Sequence, residues 1–203
     1  MSVAFKRGVA LASLVASGIS CAAATDVALE IRDSGGKPVA EAVVYAEPIS
    51  GRVPAVPSNT RALIDQVNKE FVPKVSIIQS GTSVFFPNSD NIRHSIYSFS
   101  PAKVFTTKLY SGREAAPITF DKAGLVILGC NIHDSMVAWV YIVDTPWFDK
   151  SGADGVGTLK NLPVGDYRIT AAAPVQHLLP KVFDLHVEGS APIRNSISLG
   201  TGP

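Results

Sequence analysis

Residues 71–100 read FVPKVSIIQSGTSVFFPNSDNIRHSIYSFS. Val, Ile, Phe and Tyr dominate this stretch, and such side chains favour a pleated surface. The run VSIIQ stops at Ser80-Gly81-Thr82, where a glycine allows the chain to turn, and SVFFP follows. A polar loop, NSDN, then leads into HSIYSFS, in which apolar and polar residues alternate. The reading is strand, turn, strand, loop, strand. Working outward, the same texture continues on both sides. Upstream, DVALEIRD (26–33) and VAEAVVYAEP (39–48) alternate around the turn SGGKP. Downstream come APITF (116–120), GLVILGC (124–130) and MVAWVYIVD (136–144). After residue 150, short strands are separated by the turn signals SGADG and NLPVGD, and KVFDLHVEG and RNSISLG add two more strands. Only TRALIDQVN (60–68) has the spacing of a short helix. The expectation is an all-β protein of the sandwich type.

The chain has 203 residues, 18 Lys+Arg against 17 Asp+Glu, and a formal net charge of +1. That balance gives no basic face of the sort nucleic-acid binding requires. Its start, MSVAFKRGVALASLVASGISCAAATD, has a basic pair at Lys6-Arg7, an uncharged apolar run from Gly8 to Ile19, and an Ala-x-Ala site at Ala22–Ala24. This is the pattern of a secretory signal peptide over residues 1–24, cleaved after Ala24. The apolar run is short for a spanning helix, which needs about 20 apolar residues. The stretch GISC lacks the leucine expected before a lipidated cysteine, so lipidation at Cys21 is not the preferred reading. After cleavage no transmembrane segment is expected, and the protein is read as periplasmic or secreted.

Two cysteines, Cys21 and Cys130, and two methionines, Met1 and Met136, occur in the whole chain. Loss of the leader would leave one thiol and one thioether, both in GCNIHDSM (129–136) with His133 between them. A lone thiol in an oxidising compartment has no disulfide partner and calls for another role. Thiolate, imidazole and thioether together form a soft donor set suited to copper. Zinc also accepts Cys and His, but it leaves Met136 without a purpose. The C-x2-H-x2-M loop joins two strands and supplies one imidazole. A second must come from His94, His177 or His186. His94 follows a turn and opens a strand, which makes it the expected ligand. The other two lie in the later region of different texture.

The stretch 71–100 resembles the first half of a cupredoxin, the family of plastocyanin, amicyanin and pseudoazurin. In that pattern an extended strand, a Gly turn and a strand ending near Asn precede the first ligand histidine. GCNIHDSM resembles the C-terminal ligand loop of the family, in its short amicyanin spacing, and the similarity spans residues 64–143. The resemblance implies a Greek-key β-sandwich with a type 1 (blue) copper site used in one-electron transfer to a redox partner protein, and no enzymatic activity. His94, Cys130 and His133 would be the equatorial ligands and Met136 the weak axial one. It also implies an Asn that braces the Cys loop, either Asn88 or Asn91. His133 would be the electron exit, rimmed by Ile132 with Phe99 and Pro101, although Phe99 is expected first as a core residue. Asp65, Gln66 and Asn68 are expected to cap a turn, and Asp134 to be solvated.

DVALEIRDSGGKPVAEAVVYAEP and GADGVGTLKNLPVGDYRITAAAP resemble the opening hairpin and later strands of a carboxypeptidase regulatory-like, Ig-like β-sandwich. The expected organisation is therefore a discontinuous sandwich, 25–50 plus 144–203, interrupted by a cupredoxin domain at 60–143. The whole chain is also similar to periplasmic methylamine utilisation proteins. Sandwiches of this second type include carbohydrate-binding folds, so a glycan- or protein-binding module is the alternative reading. Trp147 and Phe148 are its aromatic candidates, although they are expected to pack the seam between modules. A copper carrier is a further alternative.

Overall fold

The structure, a computed structural model, describes residues 23–54, 57, 59–112 and 116–201. The expected leader lies outside the described residues except for Ala23 and Ala24, as does Cys21. Every regular element among the described residues is a strand. In chain order the early strands are β1 (Ala24–Asp33), β2 (Val43–Pro48), β3 (Arg61–Leu63), β4 (Asp65–Val67), β5 (Glu70–Val72) and β6 (Val75–Gln79). The middle strands are β7 (Thr82–Phe85), β8 (Ile96–Ser100), β9 (Lys103–Thr106), β10 (Ile118–Phe120), β11 (Gly124–Cys130) and β12 (His133–Val143). The last are β13 (Phe148–Lys150), β14 (Val156–Pro163), β15 (Gly165–Ala173), β16 (Leu178–Val187) and β17 (Ile193–Leu199).

Two hydrophobic cores organise these strands. One sheet of order β14-β1-β17 and another of order β13-β2-β15-β16 enclose the first. Val27, Leu29 and Ile31 point inward from β1, as the period-2 alternation of DVALEIRD requires, and meet Val44, Ala46, Leu159, Ile169 and Ile197. Trp147 packs on the edge of this core, its ring at 79° to that of Tyr167 with centroids 5.7 Å apart.

The second core lies between a five-stranded sheet, β6-β12-β11-β8-β9, and a three-stranded sheet, β10-β7-β3. It buries Ile64, Phe71, Val84, Phe86, Ile96, Phe120, Val126, Leu128 and Val140. The chain leaves the first core after β2, builds the second, and returns at β13. Lys150 ties the two together, donating to Glu41 Oε2 at 2.6 Å and to the Val75 carbonyl at 3.0 Å. Phe148, on the same strand, lines a cleft with Ile77, Ile78 and Gln79 of β6.

The best helix candidate, 60–68, forms no helix. Residues 61–63 form β3, parallel to β7, and residues 65–67 form β4, which makes a hairpin with β5. Ile64 and Gln66 are the buried positions, a spacing of two. A buried glutamine disguises that alternation in the sequence.

Candidate metal centre

Strand parity brings the donors together. Val126, Leu128 and Cys130 alternate inward on β11, and Met136, Ala138 and Val140 do so on β12. Ile96 and Ser98 face inward on β8, and His94, two residues before Ile96, keeps the same side. Cys130 pairs with Ile96 on one flank and His133 on the other. The β11–β12 register shifts after Gly129, which pairs with Val137, whereas Cys130 pairs with His133. The surplus residues 134–136 bulge, and that curl turns His133 back toward the sulfur.

His94 Nδ1 lies 3.6 Å from Cys130 Sγ, and His133 Nδ1 lies 4.0 Å from it. One ligand atom from each of the three residues falls within 4.8 Å of the others. Metal–sulfur bonds of about 2.3 Å and metal–nitrogen bonds of about 2.0–2.1 Å place S and N about 3.6–3.8 Å apart at angles between tetrahedral and trigonal. The His94–sulfur separation falls in that range and the His133–sulfur separation lies just beyond it. His94 is 0% exposed, Cys130 3% and Met136 1%, while His133 is half-buried. Met136 packs in the same core as Cys130. His177 and His186 are exposed and belong to the first-core region. His186 bonds Asp166 at 2.6 Å.

A dense set of bonds fixes the loop that carries His94. His94 and Tyr110 exchange backbone hydrogen bonds of 2.9 and 3.0 Å. Asn88, nearly buried, donates to the Ile92 and Tyr110 carbonyls. The Tyr110 hydroxyl donates to the Phe86 carbonyl and accepts from Gln66 Nε2, while burial pushes its pKa up to about 12. Gln66 Nε2 also donates to the Pro87 carbonyl, and Asp65 accepts from the Ser89 hydroxyl and amide. Asp65, Gln66 and Asn68 were expected to cap a turn. Asn68 lies in a turn, whereas Asp65 and Gln66 belong to β4, and all three bond the His94 loop.

Asp90 completes the clamp. It accepts from His94 Nε2 at 2.8 Å. An ionised carboxylate only accepts, so Nε2 donates this bond, and Nδ1 is the ring nitrogen that faces the sulfur. Burial pushes the Asp90 carboxyl up, but bonds from the Lys69 amide, the His94 ring and the Asn68 amide outweigh it and hold the carboxyl below its ordinary value.

Two expectations are corrected. Neither Asn88 nor Asn91 braces the Cys loop. Asn88 serves the His94 loop, and Asn91 is exposed. The brace is a clasp between the residues that follow two of the donors. Asn131 donates through its amide to the Ser95 carbonyl at 3.0 Å and through Nδ2 to the Ser95 hydroxyl at 2.9 Å. The adjacency of Ser95 to His94 and of Asn131 to Cys130 was the signal available in the sequence. Phe99, expected first in the core, is 79% exposed and stacks beside Tyr97 at 5.1 Å. The alternation of HSIYSFS puts Phe99 on the face opposite Ile96 and Ser98. Ile132 is 49% exposed, and Asp134 and Pro101 are also exposed.

The molecule is thus an all-β protein with a His–Cys–His donor cluster at one end of a sheet. No family model matches the chain, and no curated protein matches it. Among solved structures it is similar to a copper-containing nitrite reductase from Thermus scotoductus SA-01, at 26% identity and a TM-score of 0.39 over 48% of this chain. It is similar to a purple cupredoxin from Nitrosopumilus maritimus at 23% identity and a TM-score of 0.36, over 42% of this chain and 100% of that one. It is also similar to a reduced amicyanin variant at 17% identity and a TM-score of 0.39, over 49% of this chain and 99% of that one. The chain spans 25% of the length of the reductase.

Proposed function

We propose that this chain is an exported one-electron carrier in which His94, Cys130 and His133 bind copper, with Met136 as a weak fourth donor. The observation that carries this reading is the placement of both imidazole Nδ1 atoms 3.6 and 4.0 Å from one buried thiol. Copper held by such a set shuttles between Cu(I) and Cu(II). The protein's own part is to keep the donors still. His94 is locked by Asp90 and the Tyr110 ladder, and Cys130 by two strand pairings and the Ser95–Asn131 clasp. A rigid donor set leaves little to rearrange when an electron moves. Burial of His94, Cys130 and Met136 keeps water from the sulfur, and the half-buried His133 offers the way in and out. Four protein donors make the closed set of a carrier, whereas catalytic metal sites keep a position open. A redox partner protein would meet the chain at His133 and the exposed Ile132 beside it.

The two separate cores support a cupredoxin unit at 60–143 set into a carboxypeptidase regulatory-like sandwich built from 25–50 and 144–203. The leader pattern of residues 1–24 supports a periplasmic location. No helix among the described residues is long and apolar enough to cross a membrane. The test is to add Cu(II) to the metal-free protein and record visible and EPR spectra. An intense thiolate-to-copper band with narrow parallel hyperfine splitting is expected, and Cys130→Ser abolishes it. A colourless protein that instead retains zinc tightly overturns the reading.

A further inference from the structure

We propose that Asp90, held by the turn amides of Asn68 and Lys69, is the positioning residue that orients His94 toward the metal and lowers the reduction potential of the site. This inference rests on the copper reading above.

The geometry is a chain of three links. His94 Nε2 donates to Asp90 Oδ2 at 2.8 Å, with the His94 side chain 0% and the Asp90 side chain 11% exposed. Asp90 Oδ1 accepts the Asn68 amide at 2.5 Å, and Oδ2 accepts the Lys69 amide at 2.9 Å. Asn68 and Lys69 are the two corner residues between β4 and β5, with φ of 54° and 63°. Consecutive left-handed residues make the tight two-residue hairpin turn, and here their amides converge on one carboxylate. The Asp90 backbone is fixed in turn by Asn88 Oδ1, which accepts its amide at 3.0 Å. A surface turn, a carboxylate and a buried imidazole thus form one rigid train ending at Nδ1, 3.6 Å from the sulfur.

Its chemical effect follows from charge. A carboxylate that accepts the distal N–H makes the imidazole a stronger donor and fixes its ring plane. A fixed negative charge behind the ring stabilises the dication more than the monocation. Both effects favour Cu(II) and lower the potential. A purely structural Asp90 would close the β4–β5 turn and leave the metal's preference untouched.

Asp90→Asn removes the charge with little change of shape. Cu(II) affinity should fall about 10–100-fold, the usual loss when such a partner is removed. Cu(I) affinity should fall less, and the potential should rise by about 59 mV for each tenfold difference between the two losses. Asp90→Glu, which keeps the carboxylate, should recover part of both. Asp121→Asn makes the same charge change at an exposed carboxylate paired with Lys103, and should leave the potential where it was. In the metal-free protein, nitrogen-15 NMR should show His94 as the Nε2–H tautomer, mixed in Asp90→Asn. A lower apo melting temperature in Asp90→Asn, with potential and tautomer both unmoved, overturns the proposal. Absence of the thiolate–copper band in the unmutated chain instead sinks the copper reading on which it stands.

Discussion

Met136 is 1% exposed and packs in one core with Leu128, Cys130 and Ala138. Two effects of its loss can therefore be separated. Met136→Ala empties a packed site and should destabilise the metal-free protein by about 2–5 kcal/mol. Met136→Leu conserves volume and should cost less than about 1.5 kcal/mol. Urea unfolding of the metal-free variants checks both. If the thioether is a donor, Met136→Leu should also change the copper spectrum while apo stability stays nearly constant. At this scale much was legible. The rarity of Cys and Met made Cys130, His133 and Met136 stand out, and His94, preferred over His177 and His186, lies beside the thiol. What was not legible was the support. Asp90 sits in a polar loop, where one carboxylate reads like any other solvated turn residue. Only the approach of the Asn68-Lys69 turn across more than twenty positions turns it toward the ring.

The sheet element that carries Cys130 depends on a missing side chain. Gly129 pairs with Tyr97 across β11 and β8, and a Cβ at Gly129 would lie 2.5 Å from Tyr97 Cζ and 2.6 Å from its hydroxyl oxygen. Gly129→Ala should therefore force Tyr97 off its seat and cost about 1–3 kcal/mol, read as a lower denaturation midpoint. Tyr97→Ala in the same chain should relieve the clash, giving a non-additive pair in a double-mutant cycle. Strands with clean alternation, such as DVALEIRD and HSIYSFS, were visible as elements because each has one dry face. The segment 60–68 looked like the best helix candidate for the opposite reason. Its partner strand, β7, is 22 residues downstream, and its inward position 66 is a glutamine whose Nε2 donates to Pro87 and Tyr110. Local spacing carries no mark of either fact.

At the scale of the molecule, several tyrosines are pressed into apolar surroundings. Burial raises the pKa of Tyr45, Tyr141 and Tyr167 above the ordinary 10.0, and the charge of Glu47 adds to the shift at Tyr45 while Thr170 opposes it. A raised folded pKa means the neutral form is favoured in the native state. The stability it contributes is complete below pH 10.0 and is lost as pH rises through the higher folded values. Denaturant midpoints should hold steady up to about pH 10 and then fall, with tyrosinate absorbance appearing together with unfolding. Tyr141→Phe should flatten that fall. Tyr45 and Tyr141 line one cleft, with Glu47, Leu125 and Val182 around them, so this region is lined by β2 and β16 together with β11 and β12. The sequence by itself determined the β class and the soft donor loop, because alternation and residue rarity are local properties. Tertiary structure alone decided which imidazole faces the thiol from across the sheet, how a register shift curls His133 inward, and which carboxylate stands behind His94. Those depend on pairings between distant strands, where a single hydrogen-bonded register selects the neighbours of every side chain.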